Sequence, residues 1–192
     1  MTRSVEFYFD FISPYSFLAY KKLNFLNTDN KINITYKPIL LGGLHKLGGI
    51  IAPAFNERKL KNMKNDCELI ASKNKIEFRW NDKFPINSLQ LMRGYLAINL
   101  KSKKKFFDLC FDCYWKNNID LSNKYNIETI LKNCSIEKNT FFEEIQNQEI
   151  KDKLKKLTNN AFKKDIFGAP TFVVNNKIFW GQDRLDYALD EY

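Results

Sequence analysis

From Val5 to Phe11 apolar and polar residues alternate in an aromatic-rich run, and this period of two predicts a β-strand. The run ends in Asp10-Phe-Ile-Ser13-Pro14, where Ser13 has the chemistry of an N-cap and Pro14 suits the first helical position. Phe17, Leu18, Leu23 and Phe25, with Ala19 and Tyr20, carry that helix to about Leu26. Alternation resumes from Ile32 to Tyr36 as a second strand. A strand, a helix and a strand in immediate succession imply a parallel pair joined by a right-handed crossover.

From Gly42 the texture changes. Leu41-Gly-Gly-Leu44 and Gly48-Gly49 read as a loop, after which a helical period predicts segments 56–73, 87–100, 104–115, 127–134, 141–147 and 151–164. Beyond Gly168-Ala-Pro170, the runs 171–174 and 177–180 flank Asn175-Asn176, which reads as a tight hairpin. A closing helix follows over 184–191. The plan is α/β: residues 1–45 and 165–192 form a β-α-β / β-β-α core, and residues 46–164 form an all-helical insertion domain.

Composition narrows the function classes. With 44% apolar residues in 192 the chain can fill a sizeable core. Glu6 and Asp10 interrupt the early apolar run, which excludes a signal-peptide core or a membrane span there and leads us to expect a cytoplasmic protein. Four cysteines without a secretory signal read as reduced thiols. The net charge is +9, yet only five of the 31 basic residues are arginine and the lysines are interleaved with Asn, Glu and Asp. Base-reading surfaces use arginine forks and clustered charge, so no nucleic-acid partner is expected. The run Lys101 to Lys105 reads as a solvated helix junction.

Three junctions carry candidate chemistry. At Ser13-Pro14-Tyr15-Ser16 a strand turns into a helix whose amides favour an anion or a thiolate. Serine there cannot be oxidised, but its hydroxyl can donate to a sulfur anion supplied by a ligand; the same four residues also suit an ordinary N-cap and N1 proline. At Phe167-Gly-Ala-Pro170-Thr-Phe172 the proline fits a trans edge position or a cis turn, and the cis form would leave the Ala169 N–H and C=O free for an extended peptide. At Trp180-Gly-Gln-Asp183-Arg184, helix amides and the Asp183 carboxylate could hold an amino-acid headgroup, or Asp183 could simply cap the last helix. Cys110-Phe-Asp-Cys113 falls inside a predicted helix, where it packs rather than reacts. No metal site follows, since His45, the single histidine, has no spaced cysteine pair beside it.

Five segments, Val5-Glu-Phe-Tyr-Phe-Asp-Phe-Ile-Ser-Pro-Tyr-Ser-Phe-Leu-Ala19, Pro38-Ile-Leu-Leu-Gly-Gly-Leu44, Phe84-Pro-Ile-Asn-Ser-Leu89 with Met92-Arg93, Phe167-Gly-Ala-Pro-Thr-Phe172, and Phe179-Trp-Gly-Gln-Asp-Arg-Leu185, together resemble 2-hydroxychromene-2-carboxylate isomerase. That family stands with the kappa-class glutathione transferases in the DsbA-like thioredoxin superfamily. The resemblance implies a thioredoxin-like core, bound glutathione, and Ser13 facing the glutathione sulfur. It further implies that Ala169, before a cis Pro170, pairs with the cysteinyl backbone, and that Trp180, Gly181, Gln182 and Asp183 hold the γ-glutamyl end. Lys59 falls where relatives place a lysine near the ligand, and Asn87 falls in the segment facing the substrate; His45, in the loop over the proposed cleft, could touch substrate or stand simply as an exposed loop histidine. One departure stands out: where many relatives have Gly-Asn, this chain has Gly49-Ile50, which replaces a ligand-binding amide.

The implied reaction is glutathione-dependent isomerisation of a conjugated, aromatic-derived substrate through reversible thiolate addition and ring opening, with no metal and no membrane partner. A homodimer is implied as well. Conjugation or peroxide reduction in the manner of kappa transferases uses the same site, and a non-catalytic glutathione- or peptide-binding domain is the reading from another class.

Overall fold

The computed structural model describes residues 4–29 and 31–192. Its centre is a mixed sheet of four strands in the order β2-β1-β3-β4, with β1 at Val5–Phe9, β2 at Ile34–Pro38, β3 at Thr171–Val174 and β4 at Lys177–Trp180. β1 runs parallel to β2, from Val5 opposite Ile34 to Phe9 opposite Pro38. β3 is antiparallel to β1 and β4, with Thr171 opposite Trp180. The hairpin turns through Asn175 and Asn176, both at positive φ (48° and 63°), the backbone a two-residue turn requires.

Helix α1 (Pro14–Leu26) links β1 to β2, and α2 (Leu41–Leu47) follows β2. Six helices come next: α3 (Glu57–Lys73), α4 (Leu89–Ala97), α5 (Leu100–Trp115), α6 (Lys124–Asn133), α7 (Lys138–Glu144) and α8 (Gln148–Lys163). A 3₁₀ turn at Gln182–Arg184 leads into α9 (Leu185–Glu191).

β1 is covered on both sides because its side chains are apolar or aromatic at nearly every position. On one face Phe7 stacks on Phe172 with ring centroids 5.1 Å apart, and Phe9 meets Phe107 of α5 edge-on at 4.7 Å. Each such buried phenylalanine is worth about 1.5–3 kcal/mol. On the other face Tyr8 and Val173 meet Leu44 of α2 and Ala161 of α8 in a smaller cluster with Ile39 and Ile166. The Trp115 indole N–H donates to the carbonyl of Phe11 at 2.8 Å, which ties the end of α5 to the turn preceding α1.

Several expectations change. Residues 41–47 are a helix, not a loop. Gly42 and Gly43 disfavour it locally, but burial of Leu44 against α8 and an acceptor for the Leu41 amide outweigh that cost. His45 therefore sits on a helix, and the division placed after residue 45 falls inside α2. Lys101 to Lys105 lie within α5, whose N-cap is Asn99; Lys103 is half-buried with its ammonium 5.0 Å from the Tyr95 ring. Pairing with β1 sets β2 two residues later than the alternation suggested. Among the described residues no helix is long and apolar enough to cross a membrane.

Candidate functional site

The sheet brings two chain segments, 156 residues apart in sequence, to one point. Ser13, only 3% exposed, is the N-cap of α1, and its Oγ accepts from the Ser16 amide at 3.1 Å. The same hydroxyl donates to the Ala169 carbonyl at 2.8 Å. Ala169 lies in the turn entering β3, where the Ala169–Pro170 peptide bond is cis. The expectation that this carbonyl stands free is corrected: the turn reaches the N-terminus of α1, and the nearest donor there occupies it. The first turn of α1 contains no acidic residue, so its amide dipoles remain uncompensated by any carboxylate of that turn. Ser16 Oγ is fully buried and has no hydrogen-bond partner among the described residues.

One residue of the site was not singled out from the sequence. Asp10, at 0% exposure, accepts from the Ile12 amide at 3.1 Å and from the Leu41 amide, the first of α2, at 2.8 Å. The Ser88 hydroxyl and the Phe11 amide lie close enough to favour its charged form. Burial raises its pKa to about 6, against the opposing pull of these four polar groups. The carboxylate thus pins the Ser13 turn to the start of α2. Its position at the end of an aromatic strand, three residues before Ser13, was the only signal in the sequence.

The opposite side is built from the end of β4. The Gly181 amide donates to the Pro170 carbonyl at 3.0 Å, and the Thr171 hydroxyl donates to the Gly168 carbonyl at 2.8 Å, which fixes the 180s junction beside the Ala169 turn. Gly181 sits at φ 110°, a conformation side chains strongly disfavour. Asp183 is exposed and accepts from Arg184 at 3.0 Å; its side chain makes no cap bond to the 3₁₀ turn or to α9. Gln182 is partly exposed and Trp180 is 53% exposed.

The remaining candidates lie on other elements. Lys59 is exposed on the first turn of α3, its amide capped by Asn56 Oδ1 at 3.0 Å. Asn87 is exposed and its Oδ1 accepts from the Leu89 amide at 3.0 Å, leaving its NH₂ group to point elsewhere. His45 is half-buried on α2, and burial holds its imidazole below the usual range, so it is neutral at pH 7. Cys110 and Cys113 lie within α5; burial pushes Cys110 well above the ordinary thiol value and Cys113 up to about 11, which keeps both protonated.

A buried serine thus stands at a helix tip against the turn entering β3. A DSBA-like thioredoxin domain matches residues 4–192. The chain belongs to this family. It is 28% identical over 194 residues to a 2-hydroxychromene-2-carboxylate isomerase from Sphingobium xenophagum, covering 100% of this chain and 98% of that protein. It is 25% identical over 201 residues to glutathione S-transferase kappa 1 from Homo sapiens, covering 97% and 89%. Among solved structures, a 2-hydroxychromene-2-carboxylate isomerase superposes with a TM-score of 0.88 at 23% identity, covering 97% of this chain and 92% of that one. A probable DsbA oxidoreductase from Streptomyces coelicolor gives 0.74 at 12%, covering 100% and 92%. These superpositions establish the thioredoxin-like α/β fold with its helical insertion. The start of α1 carries hydroxyls at Ser13 and Ser16 and no cysteine, so it offers no thiol pair for disulfide exchange.

Proposed function

We propose that this protein is a glutathione-dependent isomerase of the 2-hydroxychromene-2-carboxylate isomerase type, acting on a conjugated, aromatic-derived substrate. The observation that carries the reading is the Ser13 hydroxyl, buried at the tip of α1 and 2.8 Å from the Ala169 carbonyl. The names of the relatives, an isomerase and a glutathione transferase, support the same reading.

The residues present fit a thiol-bearing tripeptide. Among the described residues a buried Ser16 hydroxyl lacks a partner and the first turn of α1 carries no carboxylate, and a backbone turn stands beside it. Ala169 would hold the cysteinyl backbone next to Pro170; the main chain from Trp180 to Gln182 and the Asp183 carboxylate would hold the γ-glutamyl end. Lys59 would serve the ligand's carboxylate side, while Asn87 and His45 would face the substrate. When bound, glutathione supplies a thiolate that adds reversibly to a conjugated carbon, permits rotation there, and returns unchanged.

Ser13 has one proton to give, and in the structure Ala169 receives it. Rotation of the hydroxyl toward sulfur frees the Ala169 carbonyl to accept an N–H from the ligand, so one internal bond is exchanged for two to the ligand. A free thiol near its reference pKa of about 8.5 is only a few per cent ionised at neutral pH. Hydroxyl donation and the helix amides raise that fraction, each unit of pKa representing about 1.4 kcal/mol. No step requires a metal or an electron acceptor.

Thiolate absorbance in the ultraviolet, followed against pH with glutathione bound, tests this reading. The bound thiol should ionise at a lower pH than free glutathione, and this difference should vanish in Ser13→Ala; equal ionisation in the two proteins would refute the proposal. The resemblance to the kappa transferase supports a second reading, conjugation at the same site. Counting thiol separates them, because isomerisation leaves glutathione constant and conjugation consumes one per turnover.

A further inference from the structure

Beside the Ser13 and Ala169 contact, two large aromatic side chains remain in solvent. Phe167 is 43% exposed and Trp180 is 53% exposed, with ring centroids 4.7 Å apart at 56°. Phe172 of β3 is 0% exposed and Phe179 of β4 is partly buried, while Ile178, on the same face of β4 as Trp180, is 40% exposed. Solvent-facing rings next to one another at a polar reactive point are the pattern of a recognition surface, since isolated packing would bury them.

Backbone geometry holds the pair in place. Trp180 stands opposite Thr171 in the hairpin register, and the Thr171 hydroxyl holds the Gly168 carbonyl at 2.8 Å. A Cβ at Gly168 would overlap Trp180 Nε1, so the indole lies directly against the main chain at that residue. Gly168 precedes Ala169, whose carbonyl takes the Ser13 hydroxyl. The indole is therefore one residue, about 3.8 Å of backbone, from the turn that meets the reactive hydroxyl. Its N–H supplies a donor at that edge.

We propose that Phe167 and Trp180 form the surface that receives the flat electrophile and thereby select conjugated ring substrates. This rests on the glutathione reading of Ser13 above. The platform favours planar ligands through offset or edge contacts and gives no such advantage to a saturated one. Glutathione, which has no ring, is held by the main chain of the same junction and is indifferent to the Phe167 side chain.

Calorimetric titration with coumarin-3-carboxylate, a flat bicyclic carboxylate, tests the proposal in the presence of saturating glutathione. Phe167→Leu keeps apolar bulk and removes the ring; it should weaken the probe about fivefold to tenfold while leaving glutathione affinity within about twofold. The probe should quench tryptophan emission in the native protein. Trp180→Phe, which leaves Trp80 and Trp115, should lose that quenching and retain most of the affinity. Gly168→Ala should weaken the probe by displacing the indole. Probe affinity unchanged in Phe167→Leu, or quenching preserved in Trp180→Phe, would overturn the platform while glutathione binding stayed intact. Failure of the native protein to bind glutathione would overturn the underlying reading, and the platform with it.

Discussion

The two walls of the site are built on opposite principles. The Ser13 wall is interior: Asp10, Ser13 and Ser16 are all buried, every backbone segment there is held by a named donor or acceptor, and Trp115 fastens the turn from behind. The wall from Trp180 to Arg184 is surface. It depends on a glycine at φ 110°, a hydrogen bond from that glycine's amide to the Pro170 carbonyl and an ion pair in solvent. A group that must stabilise a forming charge gains from a fixed, dry environment, whereas a headgroup already charged in water gains little from burial. The buried wall should therefore govern turnover and stability, and the exposed wall should govern affinity.

The sharpest attack on the buried wall is Ser13→Ala. Turnover should fall about 10²–10³-fold, as when an oxyanion-hole donor is lost, with the fold intact by circular dichroism. Steady-state kinetics check it, and an unchanged kcat would move the reactive group elsewhere.

Asp10 gives the same wall a pH signature. Its pKa rises from 3.8 to about 6 on folding, so the native state binds that proton more tightly than the unfolded chain. This contribution to stability is fully present below about pH 4, declines as pH rises toward about 6, and is flat above. The difference corresponds to about 3 kcal/mol. Urea unfolding at a series of pH values, compared with Asp10→Asn, isolates it: the variant should gain stability relative to the native protein as pH rises through that window. A constant difference between them would show that Asp10 does not titrate there.

On the exposed wall the effects should be smaller. Gly181→Ala forces a side chain into φ 110° and should cost about 1–3 kcal/mol of stability, read as a lower denaturation midpoint, with weakened glutathione binding. Asp183→Asn should change stability by less than about 1 kcal/mol, because its partner Arg184 is equally solvated. Glutathione affinity should nevertheless drop severalfold in a calorimetric titration, with kcat preserved. If this variant lost turnover at saturating glutathione instead, the division of labour between the walls would fail.

How far the sequence could be read depended on where each element finds its partners. α1 was legible from end to end because its cap, its proline and its apolar stripe are all local. β3 and β4 were legible because Asn175-Asn176 supplies the turn and β-branched and aromatic residues flank it. α2 was not: its glycines argue against a helix, and the acceptor for its first amide is Asp10, 31 residues away. Ser13 announced itself by its junction, and Asp10 did not, because a buried acid is recognised by the polar groups around it, and one of its two donors, Leu41, comes from a separate element.

The chain by itself determined the serine and proline junctions, the succession of most strands and helices and the absence of a thiol pair at the start of α1, since each rests on residue type and near neighbours. Tertiary structure alone decided that Ser13 meets Ala169, that Asp10 is dry and clamps the site, and that Phe167 and Trp180 stay paired in solvent. Those facts depend on contacts between segments far apart in sequence, and the free energy of such contacts is set by burial and geometry that no local pattern encodes.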